Sequence, residues 1–294
     1  MSQKFEEVRI RAIRVIKFFL FSAAVIPCLV GGVVANFHGS FNFSLWMIVT
    51  LGMVLGQAGG DYLYYYSSYV MDNSVKKDRT PFSGWSPFFV GSILKSKDAF
   101  YAGILCFGLG FIIAIYLTMK VGYIVLILAC IGGLIGFLFT SLMNKGLEEP
   151  AIFLAFGFLP VIGVYYVMTK SITVEPIVAS ISVGFLVTVV AYVKGASYTI
   201  NKRGESCLVV RTGKVKAPIF FLAAYLSIII GVVSGCMPAW TLISLATIPL
   251  ALNVTKVFNR KYSQISEYMS AVIKTLALHS ITGILITIGY LIPF

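Results

Sequence analysis

The sequence predicts an all-α, polytopic membrane protein of about nine transmembrane helices. Three observations carry this. The chain is 59% hydrophobic and only 12% charged, where a soluble domain has roughly a quarter of its residues charged. Apolar stretches of the length needed to cross a bilayer, about 20 residues, recur along its whole length. The Lys and Arg residues fall in the gaps between these stretches and almost all on one side. With 294 residues there is room for these helices and their loops as one integral membrane domain, 1–294, and for no sizeable soluble domain.

The apolar stretches run at about 18–36, 44–63, 99–119, 121–142, 150–169, 174–193, 217–236, 238–252 and 270–293. The first follows Lys4, Arg9, Arg11, Arg14 and Lys17, but it lacks a small-residue cleavage pattern and has further spans behind it, so it reads as a retained helix. The eighth, about 15 residues between Pro238 and Asn253, is the weakest and is expected to be short or tilted. Lys and Arg in short loops mark the cytoplasmic side. With the N-terminus cytoplasmic and the C-terminus on the opposite side, 21 of the 23 basic residues lie inside, leaving only Lys120 and Lys170 outside. Adding or removing a helix in the middle would scatter these charges over both faces.

Several functions are excluded at this level. Cys28, Cys106, Cys130, Cys207 and Cys236 are scattered, with no CxxC pair and no His at ligand spacing, so neither a disulfide framework nor a zinc site is indicated. The net charge of +12 sits in juxtamembrane segments without a soluble basic module. It fits membrane topology and contact with anionic lipids, not nucleic acid.

Two connections are much longer than the rest, about 64–98 after the second span and about 194–216 after the sixth. Long loops in a compact bundle tend to be functional. Both are basic, and both follow a helix end rich in Gly and polar residues: Gln57, Gly59, Gly60 and Asp61 in one, Lys194, Gly195, Ser197 and Tyr198 in the other. Asp61 is the most informative residue, because a carboxylate within a membrane helix is expensive and is by default a functional candidate. The alternative is an interfacial carboxylate, hydrated or paired with Lys or Arg. Tyr62, Tyr64, Tyr65, Tyr66 and Tyr69 form either an interfacial aromatic belt or a lining for a cationic or isoprenoid group, and the two readings are compatible.

With these residues the chain resembles the UbiA superfamily of intramembrane prenyltransferases, and within it the branch that prenylates dihydroxynaphthoate in menaquinone synthesis. The resemblance is distributed: the helix count, the long loops after the second and sixth helices, Leu147-Glu148-Glu149-Pro150 leading into Ala155-Phe156-Gly157 and Gly163-Val164-Tyr165-Tyr166, and the late Leu276-Ala277-Leu278-His279. It implies a helical bundle around a central, lipid-accessible cavity. Small residues at Gly52, Gly56, Ala58, Gly59 and Gly60 would leave room for that cavity.

The Asp-rich motifs of the family are degenerate here. Gly60-Asp61-Tyr62 stands where Asn-Asp-Tyr would be, the next family Asp falls on Tyr64, and a third is met at Asp72 if the spacing stretches. Gly204-Glu205-Ser206-Cys207-Leu208 stands where Gly-Lys-x-Thr-Leu would be, which puts the two Asp positions of the second motif on Ala196 and Ile200. By resemblance, Asp61 and Asp72 are the catalytic and Mg²⁺-binding candidates, with Mg²⁺ required if the chain is catalytic. Tyr62, Tyr65, Tyr69, Lys76, Lys77, Arg79, Lys194, Lys202 and Arg203 are then the substrate-binding candidates. The excess of Lys and Arg over acids in the two loops favours direct anion binding.

Three functional classes follow. One is a divergent prenyltransferase moving an isoprenoid chain from a prenyl diphosphate to an aromatic or other lipid-soluble acceptor. Another is a non-catalytic relative that binds a quinone, a polyprenyl lipid or a membrane-protein partner. A transporter is the third, since intramembrane charge also suits one. The topology itself is testable: cysteines placed at Ser83 and Ser206 in a cysteine-free background should resist an impermeant maleimide in sealed cells, and labelling of either from outside overturns the nine-helix arrangement.

Overall fold

In the computed structural model, residues 21–71, 95–194, 197–200, 206–209, 213–257, 261–262 and 265–292 are described. Ten α-helices account for most of them: α1 Ser22–Phe37, α2 Phe43–Met71, α3 Ser96–Val121, α4 Ile124–Phe137, α5 Phe139–Asn144, α6 Glu148–Thr169, α7 Val174–Lys194, α8 Gly213–Val233, α9 Ile248–Val257 and α10 Ile265–Leu291. In hydrocarbon each backbone N–H and C=O must be bonded internally, which leaves the helix as the economical form for such apolar segments. Six of these helices, α2, α3, α6, α7, α8 and α10, contain stretches long and apolar enough to cross a membrane, and α1 and α4 are shorter apolar helices. The chain is an integral membrane protein with an all-helical membrane fold.

Contacts sort the helix ends into two groups. At one end Tyr64 of α2 meets Phe139 of α5, Tyr66 meets Phe100 of α3, and Lys216 of α8 pairs with Glu149 of α6. At the other, the His38 ring after α1 lies edge-on to Tyr165 of α6, Phe37 meets Tyr290 of α10, and Thr173 donates to the Tyr165 hydroxyl at 3.0 Å. Among the described residues, α6 therefore runs from the first group, at Glu149, to the second, at Tyr165. Gly122 lets α3 turn directly into α4: its φ of +145° is open only to glycine, and a Cβ there would stand 3.0 Å from the Tyr166 hydroxyl.

Three elements differ from the sequence expectation. The second helix continues to Met71, so the expected loop from about 64 begins later; nothing between Asp61 and Met71 is Gly or Pro, and the helix carries on past the bilayer depth. The expected 194–216 loop contains two strands, β1 Ser197–Ile200 and β2 Ser206–Val209, paired antiparallel, with β3 Lys261–Tyr262 added on the β2 side. The weak eighth stretch is a 3₁₀ helix, Ala239–Thr247, running into α9. At about 2.0 Å per residue its nine residues rise about 18 Å, and the ten of α9 add about 15 Å, which together match a hydrocarbon core. Overwinding thus lengthens the short stretch that the sequence offers.

The centre of the bundle is α1, α6, α7, α8 and α10, interlocked through Val30, Val34, Val161, Leu186, Ile228 and Leu276. Water-driven association is absent between lipid-embedded helices, and close approach at small residues takes its place. A Cβ at Gly157 would fall 2.2 Å from the Gly184 Cα, one at Gly31 2.5 Å from the Val161 carbonyl oxygen, and one at Gly289 2.5 Å from the Thr241 Cα. Around Gly157, residues Leu154–Phe158 of α6 form a π-helical turn. Pro160 follows and has no N–H for the carbonyl four residues back, so the ladder widens there. Gly157→Ala should therefore lower the thermal unfolding midpoint of the detergent-solubilised protein, with overpacking costing about 1–3 kcal/mol. Gly133→Ala, where a Cβ meets nothing within 4 Å, should leave that midpoint unchanged.

Candidate functional site

Where the central helices meet α2, α3 and α4 the packing opens into a cavity of about 810 Å³. On α2, Gly52, Gly56 and Gly60 recur every fourth residue, and with Gln57, Asp61 and Tyr64 they put one helix face along the cavity. A Cβ at Gly56 meets nothing within 4 Å, so the side chain missing there is part of the space, whereas one at Gly52 would stand 3.1 Å from the Ile113 side chain. Gly59, expected to belong to this face, instead receives the Phe107 ring of α3, 2.8 Å from where its Cβ would be, and Ala58 is not among the lining residues. Opposite, the π-helical turn supplies Ala155 and Phe156, and α7 supplies Val187, Val190 and Ala191.

The walls are apolar over most of their area, and the polar groups gather at the end where α5 and α6 meet. Gln57 is 4% exposed, Asp61 and Tyr64 are half-buried, and Glu148 in the first turn of α6 completes the group. Acids in a first helical turn are favoured by the helix dipole. The neighbouring Glu149 points elsewhere, pairing with Lys216 and tying the start of α6 to α8. Asp61 lies 18 residues along α2 from Phe43, about 27 Å at helical rise. It is therefore at the basic end of the bundle and turned inward, where the expense of a lipid-facing carboxylate is avoided.

Of the residues singled out from sequence, Asp61 is in the cavity. Tyr62 is half-buried on α2 and is not one of the lining residues; its neighbour Tyr64 is. Asp72, Lys76, Lys77, Arg79, Lys202 and Arg203 lie outside the described residues, as do the side chains of Tyr65, Tyr69 and Lys194. Among the described residues no three His, Cys, Asp or Glu side chains are grouped for a metal. Of the two positions of the family's second acidic motif, Ile200 lies on β1 and Ala196 lies outside the described residues. Glu148 is the lining acid that sequence reasoning passed over, although two carboxylates opening a membrane helix are the kind of signal that marks a site.

The geometry defines an intramembrane helical bundle with an apolar chamber whose polar groups stand at one end. The profile of the UbiA prenyltransferase family matches residues 24–277, and the chain belongs to that family. Among solved structures, one described as giving structural and mechanistic insights into digeranylgeranylglyceryl phosphate synthase in membranes is similar over 95% of both chains, with a TM-score of 0.53 at 13% identity. That likeness is one of fold. Among curated proteins none matches. If the chamber is the ligand site, Gly56→Leu should fill it, leaving the unfolding midpoint unchanged while abolishing binding of a fluorescent isoprenoid analogue; undiminished binding would place the ligand elsewhere.

Proposed function

We propose that this chain transfers an isoprenoid chain from a prenyl diphosphate to an aromatic or other lipid-soluble acceptor, of the quinone-precursor type, from within the membrane. The observation that carries the reading is the placing of Asp61 and Glu148 at one end of an otherwise apolar chamber, in a chain of the UbiA prenyltransferase family. A prenyl diphosphate has the same division into a charged head and a long apolar tail. Nine crossings, a cytoplasmic N-terminus and the opposite placing of the C-terminus belong to the same proposal, resting on the 21 of 23 basic residues gathered on one side. They put the polar end of the chamber on the cytoplasmic face, where a soluble diphosphate is available.

UbiA family prenyltransferases typically use Mg²⁺, and Mg²⁺ is characteristically held by one or two carboxylates together with substrate phosphates. Asp61 and Glu148 line one chamber and fit that mode; Asp72 is the further candidate. Bound there, Mg²⁺ would neutralise the diphosphate and so assist its departure. The chain's own side chains do the rest. Lys76, Lys77, Arg79, Lys194, Lys202 and Arg203 supply positive charge for the phosphates. The aromatic faces of Tyr64 and Phe156 stand in the chamber where positive charge develops on the allylic carbon, and they stabilise it without offering a nucleophile. Apolar walls exclude water, which would otherwise capture that carbon. The acceptor's aromatic carbon then forms the new bond and loses its proton.

One observation favours a second reading. With Ala196 and Ile200 at the second motif and β1 following α7, the opposing acid cluster has no counterpart at those positions, as in a relative that keeps the chamber for a quinone or polyprenyl lipid without turnover. Purified protein in nanodiscs with a labelled prenyl diphosphate, Mg²⁺ and a dihydroxynaphthoate acceptor separates the two. On the enzyme reading, Asp61→Asn and Asp72→Asn each reduce prenyl transfer by about 100-fold or more, the scale of removing one electrostatic group from a site, and Lys194→Ala mainly weakens donor binding. On the binding reading the wild type shows no transfer. The Asp variants then bind normally, and Lys194→Ala with Arg203→Ala weakens a phosphate-bearing lipid by about 1–3 kcal/mol.

A further inference from the structure

Along α2 the lining side chains change character within a turn. Asp61 and Tyr64 stand toward the end of the helix, Gln57 lies one turn deeper, and beyond it come Met53 and Val49, which are apolar. Among the described residues, Glu148 is the one other lining residue whose side chain carries oxygen or nitrogen, and it belongs with Asp61. Gln57 is 4% exposed, and an amide taken out of water into apolar surroundings is costly unless it is hydrogen-bonded. Unlike the acids, it is uncharged and can both donate and accept. The wall around it is bare backbone. A Cβ at Gly60 would stand 3.7 Å from the Gly136 carbonyl oxygen, so α2 and α4 approach closely there. One turn back along each helix, at Gly56 and Gly133, a Cβ would meet nothing within 4 Å. Both glycines line the chamber, and a gap walled by backbone in this way admits a flat ring.

Resting on the prenyl-transfer reading above, we infer that Gln57 is the specificity-determining residue for the acceptor: its amide bonds a hydroxyl on a planar, uncharged ring lodged beside Gly56 and Gly133, and so selects the ring carbon that is alkylated. Depth carries the argument. Gln57 is four residues from Asp61, about 6 Å along α2. With the donor's diphosphate held at Asp61 and Glu148, its reacting carbon is two bonds from the nearest phosphorus and so lies close to the level of Gln57. Reacting atoms must approach to about 3–3.5 Å, which puts the acceptor ring at that level too. A hydroxyl fixed by Gln57 then brings the ring carbon next to it against the donor. The donor's carbon–oxygen bond breaks, and its electron pair leaves with the diphosphate. The ring carbon supplies the pair for the new carbon–carbon bond, and its proton passes to the released diphosphate. A neutral amide suits this level, because a cation would oppose the charge developing on the allylic carbon and a further carboxylate would compete to capture it.

A pair of acceptors that differ only at the hydroxyl tests this. Protein in phosphatidylcholine nanodiscs, with Mg²⁺ and the non-reactive geranylgeranyl thiodiphosphate, is titrated with 1-naphthol and with 1-methoxynaphthalene, each followed by its own fluorescence against empty nanodiscs. Comparing the ratio of the two affinities between proteins cancels their partition into lipid. The near-isosteric Gln57→Met should shift that ratio against 1-naphthol by at least about tenfold and change affinity for the thiodiphosphate by less than about twofold. With geranylgeranyl diphosphate as donor, the wild type should alkylate 1-naphthol at the carbon beside the hydroxyl, a product position read by NMR that does not depend on the variant. An unchanged ratio in Gln57→Met, equal loss of both affinities, or alkylation by the wild type at a carbon remote from the hydroxyl overturns the proposal. If product forms but the ratio is the same in both proteins, the transfer reading stands without Gln57. If 1-naphthol binds but no product forms, the transfer reading falls and the choice of ring carbon falls with it.

Discussion

The chamber depends on the approach of two backbones, Gly157 of α6 against Gly184 of α7. With no side chain on either glycine the helices close to van der Waals contact, and the π-helical turn Leu154–Phe158 accommodates the step. That turn and α7 each contribute wall: Ala155 and Phe156 on one side, Val187, Val190 and Ala191 on the other. Hydrophobic association does not drive such packing in lipid, so dispersion at close range carries it, and dispersion falls off steeply with even a small gap. The side of the bundle that is packed this tightly is the side that can hold a void on its flank without collapsing into it.

The void is made by a different use of the same residue type. Gly31, Gly157 and Gly289 let helices touch, whereas Gly52, Gly56 and Gly60 line the chamber at helical spacing, with open space beside Gly56. The first set lies in the densely packed helices α1, α6 and α10, and the second on α2, whose outward face meets lipid at Met47 and Leu51. Polar groups are segregated as well. Hydroxyls buried away from the chamber bond back to their own helices, as Thr188 does to the Gly184 carbonyl and Ser182 to that of Ala179. Among the described residues, ionisable lining groups stand only at the Asp61 end, apart from the thiol of Cys130.

Much of this was legible in the sequence because the bilayer simplifies the code. Apolar length gave the helices, and Lys and Arg placement gave their alternation. The small residues Gly52, Gly56, Ala58, Gly59 and Gly60 indicated room beside α2, of which Gly52, Gly56 and Gly60 line the chamber, and the cost of a carboxylate in lipid singled out Asp61 while leaving an interfacial placement open. What stayed hidden has physical reasons. The π-turn at Leu154–Phe158 and the 3₁₀ run at Ala239–Thr247 are tertiary adjustments, made where a backbone contact or a shortage of residues overrides the ordinary helix. The strands Ser197–Ile200 and Ser206–Val209 are four residues each, too short for their alternation to stand out in a basic loop. Glu148 entered the sequence reading only as part of Leu147-Glu148-Glu149-Pro150, and nothing in the sequence says that the two acids diverge, one to the chamber and one to Lys216.

The composite segment formed by the 3₁₀ helix and α9 has a consequence for how the protein is assembled. Within it Thr247 shares its hydroxyl with Tyr225 of α8 at 2.7 Å and with Thr282 of α10 at 2.9 Å, and Thr241 abuts Gly289 of α10. Alone in lipid, this tightly wound stretch would expose the hydroxyls of Thr241, Ser244 and Thr247, which are buried here, and would be a poorer membrane segment, although Trp240, Leu242, Ile243 and Leu252 already face outward. It becomes a good one only between its neighbours. Its cross-helix hydroxyl bonds to Tyr225 and Thr282 exist only with α8 and α10 in place, so the segment is completed by a helix that follows it in the chain.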